Sequence, residues 1–109
     1  MKESNFERPQ AETEVFEAAV EDVRSHMHYL LKQYGNGLCV SSHEISGLLH
    51  EEMEEFSSEV HGNNLDGIRE ELIDVAITAI WGLASMKRLD IIKAGWGKEK
   101  HGRDNTTQE

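Results

Sequence analysis

Residues 72–86 read LIDVAITAIWGLASM, and the fold turns on this stretch. A helix advances about 100° per residue, so its apolar side chains cover most of the circumference here. With Leu65 set at zero, they fill about 280° through zero to about 160°. Glu71 at about 240° and Asp74 at about 180° share the remaining sector with Thr78 and Ser85. Such a helix must be covered on several sides, by its own chain and by another copy. It is expected to begin at Leu65 or Asp66 and to reach at least Met86. An extension to Lys93, a kink at Gly82, or a break near Lys87 followed by a short fourth helix are all open at this level.

Working toward the N-terminus, Gly62-Asn63-Asn64 reads as a turn and cap. Before it, Ile45, Leu48, Leu49, Met53, Phe56 and Val60 form the apolar stripe of a second helix. Ser41, with Glu44 three residues on, is a capping box for its start. Gly35-Asn36-Gly37 ends a first helix running from about Thr13 to Tyr34. Its stripe, Phe16, Ala19, Val20, Val23, Met27, Leu30, Leu31 and Tyr34, follows three- and four-residue steps. No segment reads as strand. The expected fold is all-α, an antiparallel bundle of three long helices completed by oligomerisation. Residues 1–109 form a single domain, with an irregular start over 1–11 and a polar tail over 95–109.

Composition bounds the partners. A net charge of −10 argues against a nucleic-acid-binding surface. No run approaches the length of a membrane-spanning helix, so no membrane partner is expected. MKESNFERPQ lacks a signal-peptide layout, and a lone cysteine, Cys39, forms no internal disulfide. A cytoplasmic setting is the expectation. Six of the eleven basic residues fall within 87–103, as either a helix end with a solvated tail or a phosphate-facing edge.

The chemistry lies in two acid pairs at i, i+3 spacing: Glu52 and Glu55 in HEEMEEF, Glu71 and Asp74 in REELIDVA. With Ile45 at zero, Glu52 falls at about 340°, inside the apolar arc, and Glu55 at about 280°, on its edge. Glu59 lies at about 320°, Glu51 at about 240° and Glu54 at about 180°, so Glu54 faces water. Arg69 is the only Lys or Arg between Lys32 and Lys87, so cationic partners for a purely structural salt-bridge role are scarce. Converging carboxylates on apolar helices repel and resist desolvation unless a cation lies among them. A di-iron bundle needs Glu-x-x-His pairs, and none of the six histidines has Glu three residues before it. An all-oxygen set favours Mg2+, with Mn2+ as a substitute, and Mg2+ typically completes its shell with water and phosphate oxygens. Phosphoanhydride hydrolysis is the chemistry this suggests.

ExxE followed by ExxD, within EEMEEF and EELIDVA, resembles the signature of the all-α nucleoside triphosphate pyrophosphohydrolases, the MazG-like proteins that include dimeric dUTPases and dCTP pyrophosphatases. The resemblance spans roughly residues 15–93. It implies a homodimer or homotetramer that cleaves a nucleoside triphosphate to the monophosphate and pyrophosphate with Mg2+. It implies Glu52, Glu55, Glu71 and Asp74 as metal ligands, and Glu51 as the acid that activates water, with Glu59 its rival. Lys93 matches a nucleotide-contacting lysine, although Gly97 stands where relatives carry an asparagine. From the wheel, His26 flanks the first helix's apolar stripe, where it could reach a base or phosphate or serve as a plain helix-surface residue, and Trp81 borders the polar sector where it could stack on a base or pack in an interface. The alternative function is a non-catalytic helical interaction module with structural acid pairs.

Overall fold

The computed structural model describes residues 7–88, and among them the secondary structure is three helices. These are α1 (Thr13–Tyr34), α2 (Ser42–His61) and α3 (Leu65–Lys87). The all-α expectation holds. Lys93, most of the basic segment and the polar tail lie outside the described residues.

Local chemistry accounts for the boundaries. α1 stops at Gly35, whose φ of 91° suits a residue without Cβ and whose N–H donates to the Leu31 carbonyl at 2.8 Å. Ser41 Oγ accepts from Glu44 N–H at 3.1 Å, the first half of the capping box. The second half is displaced by one residue, because Glu44 Oε1 accepts from the N–H of Val40 rather than from that of Ser41. The α2–α3 turn uses Asn63 at a φ of 58° and Asn64 as N-cap, accepting from Gly67 N–H at 3.2 Å.

Pairs of contacts fix the directions. Ile45 meets Gly82, Glu52 meets Glu71, and Glu59 meets the Asn64–Gly67 turn, so α2 runs antiparallel to α3. His26 lies beside Asp74, and Met27 and Leu31 share a cleft with Ile80 and Ala84, so α1 runs alongside α3 in the same direction. α3 is thus the shared wall of an up-down-up arrangement.

Gly82 does not break α3, which is continuous from Leu65 to Lys87, while an extension to Lys93 or a short fourth helix would lie outside the described residues. A Cβ at Gly82 would stand 2.9 Å from Ile45 Cγ2, so the glycine serves close approach of α2 and α3. One turn on, Ser85 is fully buried. Its Oγ accepts from Cys39 N–H at 2.9 Å and donates to the Trp81 carbonyl at 2.8 Å. Trp81 Nε1–H donates to the Gly37 carbonyl at 2.6 Å. Two residues of α3 therefore hold the α1–α2 connection in place. Leaving the buried Cys39 N–H without its acceptor would cost about 1–3 kcal/mol.

Coverage is incomplete. Among the described apolar side chains, only Cys39 and Ile77 are buried, whereas Phe16 is 65 % exposed, Leu83 63 % and Tyr34 78 %. The N-terminal half of α1 presents Val15, Phe16 and Val20 to solvent, and Leu72, Leu83 and Met86 lie open on α3. No described helix is long and apolar enough to cross a membrane.

Candidate metal centre

The antiparallel pairing of α2 with α3 brings two acid-bearing turns face to face. Glu52, Glu55 and Glu71 each offer a carboxylate oxygen such that all three lie within 4.8 Å of one another. Oε1 of Glu52 and Oε1 of Glu71 are buried without a hydrogen-bond partner among the described residues. Buried polar atoms are nearly always paired, and a cation is a partner whose chemistry would fit this all-oxygen set of donors.

The acids disfavour one another's charge. Burial pushes the Glu71 carboxyl up from 4.5 to about 7, with the charges of Asp74, Glu55 and Glu52 adding to the effect. Glu52 is also raised, first by burial and then by Glu55 and Asp74, while a hydrogen bond with Glu71 acts in the opposite direction. Glu71, when protonated, can thus share its proton with Glu52.

Asp74 sits slightly apart from the three glutamates. Its carboxyl is raised chiefly by burial, with His26 opposing and Glu55 and Glu70 reinforcing. His26 Nε2 stands 3.8 Å from Asp74 Oδ1, and its ring stacks on Tyr29 at 5.8 Å between centroids. Asp74 therefore lies between the three-glutamate cluster and the one described basic side chain beside it. Arg69 turns away to Asp66 at 3.1 Å, both exposed, and offsets none of the cluster.

The remaining acids of the row separate as the wheel orders them. Glu54 faces out, with Oε2 3.1 Å from His50 Nε2. Glu51 is exposed and stands outside the three-glutamate cluster. Glu59, its rival, has Oε1 occupied by Asn64 Nδ2 at 2.9 Å and lies against Gly67, so it braces the turn.

A cleft of about 300 Å³ opens beside the acids, walled by Leu30, Tyr34, Leu48, Ile77, Thr78 and Trp81 and by the 37–39 connection. Leu48 is four residues before Glu52 and Thr78 four after Asp74, so the cleft begins roughly 6 Å, one helical turn, from the acids on both helices. Trp81 contributes a face to it while its N–H stays on Gly37. Glu44 also lines it. In the sequence Glu44 stands only as half of a capping box, and nothing there brings it or the 37–39 connection to this cleft. Ser85 is fully buried and anchors that connection through Cys39 N–H rather than lining the cleft, and its place in the narrow polar sector of α3 was the one signal of such a role.

No protein-family model, curated protein or solved structure matches this chain. The likeness to the MazG-like pyrophosphohydrolases rests on the ExxE and ExxD pairs themselves.

Proposed function

We propose that this chain is a Mg2+-dependent nucleoside triphosphate pyrophosphohydrolase, converting a (d)NTP and water to the (d)NMP and pyrophosphate in nucleotide-pool cleaning or remodelling. The observation that supports this reading is the convergence of Glu52, Glu55 and Glu71, of which Glu52 and Glu71 each have a buried oxygen without a partner among the described residues. Glu52, Glu55 and Glu71 would hold the cation, with Asp74 completing the set by a change of side-chain direction. Bound Mg2+ supplies charge neutralisation for the phosphate chain and activation of water; Mn2+ would substitute.

The protein side chains have their own parts. Glu51, exposed one residue before Glu52, is available to accept a proton from water at the edge of the cluster. His26, held by Tyr29, is within reach of a phosphate beside Asp74. The neighbouring cleft suits an aromatic head group, with Trp81 on one wall. Lys93 is proposed as a nucleotide contact on the resemblance alone.

Exposed Val15, Phe16, Val20 and Leu83 support self-association into a dimer or tetramer. A cytoplasmic location is part of the same reading. Incubating the protein with each dNTP and Mg2+ should yield monophosphate and pyrophosphate. Absence of turnover with every nucleotide, together with no Mg2+-dependent stabilisation, would favour the non-catalytic interaction module instead.

A further inference from the structure

We infer that Glu44 is the specificity-determining residue of the cleft, and that it selects nucleotides whose base carries an exocyclic amino group over those with uracil or thymine. The inference rests on the hydrolase reading above and concerns the base end of the same site.

The cleft is mostly apolar, with Leu30, Leu48, Ile77 and Trp81 among its walls. Of its polar side chains, Tyr34 stands on the rim at 78 % exposure, and other polar groups are engaged elsewhere. The Gly37 carbonyl accepts from Trp81 Nε1–H, Cys39 N–H donates to Ser85 Oγ, and Thr78 Oγ1 donates to the Asp74 carbonyl at 2.9 Å. Glu44 differs. Among the described residues its Oε1 accepts from Val40 N–H at 2.8 Å, whereas a carboxylate offers about four lone-pair sites on two oxygens. The bond to Val40 and the cap bond from Glu44 N–H to Ser41 Oγ fix the first turn of α2, and so hold the carboxylate at the cleft.

An ionised carboxylate accepts hydrogen bonds and donates none. Cytosine and adenine present an amino group as a donor, and guanine adds an N–H beside its own. Uracil and thymine flank their single N–H with a carbonyl on either side, which brings lone pairs against the carboxylate. A cleft of about 300 Å³ lies at the small end for ligand pockets and suits one planar heterocycle. The phosphates of that ligand would extend toward the acids one turn away.

The test compares turnover of dCTP, dATP, dGTP, dUTP and dTTP with Mg2+ by the wild type and by Glu44→Gln. The amide oxygen of the variant keeps the Val40 bond, because the amide nitrogen cannot accept it, so an NH2 donor replaces the second oxygen. Ratios between substrates on one preparation do not depend on how much of it is folded. Wild type should favour the amino bases over dUTP and dTTP by about tenfold or more in kcat/KM, the scale of one good base contact. In the variant that ratio should fall by at least about tenfold, mostly through KM. Equal turnover of all five by wild type, or a uniform change across all five in Glu44→Gln, overturns the inference and leaves the hydrolase reading standing. No turnover of any of the five by wild type overturns both.

Discussion

Glu52 and Glu71 face one another across the α2–α3 interface, each with Oε1 buried and unpartnered among the described residues. Two like charges in this position oppose folding of the metal-free chain, and the same two charges are what a divalent cation requires. On the proposed reading, stability and function pull in opposite directions at these side chains.

The first consequence is a pH dependence of known sign. Glu71 titrates near 7 in the folded chain against an ordinary value near 4.5. Between those two pH values the folded chain retains a proton that the unfolded chain has released. Unfolding thus releases a proton, and the Glu71 contribution to stability falls as pH rises through this window, levelling off above about 7. Thermal melts of wild type and Glu71→Gln without metal should coincide most closely at pH 5, and the variant should be the more stable at pH 8. A constant difference across that range would show that the Glu71 charge is not the cause.

Substituting the acids should remove turnover while sparing the fold. Glu52→Gln and Asp74→Asn are each expected to reduce turnover by on the order of 100-fold or more, since loss of a group that merely orients a metal ligand already costs 10- to 100-fold. Circular dichroism should show unchanged helix content in both. Near-normal turnover in either variant would remove that residue from the site.

Gly82→Ala probes the approach of α2 to α3. Helix propensity alone favours the alanine by about 1 kcal/mol. The added Cβ would meet Ile45 Cγ2 at 2.9 Å, and overpacking of this kind costs about 1–3 kcal/mol. A net loss of about 1 kcal/mol is expected in chemical denaturation. Removing the β-branch in Gly82→Ala/Ile45→Ala should make the double variant less destabilised than the sum of the two singles. Strict additivity would place the clash elsewhere.

Where the chain carries its own punctuation, the fold was legible in advance. Gly35, Ser41 with Glu44, and Asn63-Asn64 each terminate or start a helix by a short-range hydrogen bond or a positive φ. The inward placement of Glu52 and outward placement of Glu54 follow from helical periodicity alone, because the apolar stripe fixes which face is covered. Contacts between distant positions were not legible. Ser85 meets Cys39, and Trp81 meets Gly37, more than forty positions away, and no local pattern encodes those pairs. Gly82 read as a point of weakness because a sequence shows the missing Cβ without showing Ile45 opposite. Asp74 shares a polar sector with Glu71, yet its carboxylate lies nearer α1, beside His26. A wheel for α3 carries no information about what α1 presents.

The central claim is that the facing carboxylates of α2 and α3 hold a divalent cation. Its most direct test is the thermal shift produced by Mg2+ at pH 8, where Glu71 is ionised, in wild type and in Glu52→Gln. Mg2+ binding to the folded chain alone should raise the wild-type melting temperature with concentration up to about 10 mM, following the logarithmic dependence of ligand linkage. The variant should show little or no shift. A wild-type melting temperature that Mg2+ leaves unmoved, or an equal rise in both proteins, would contradict the claim.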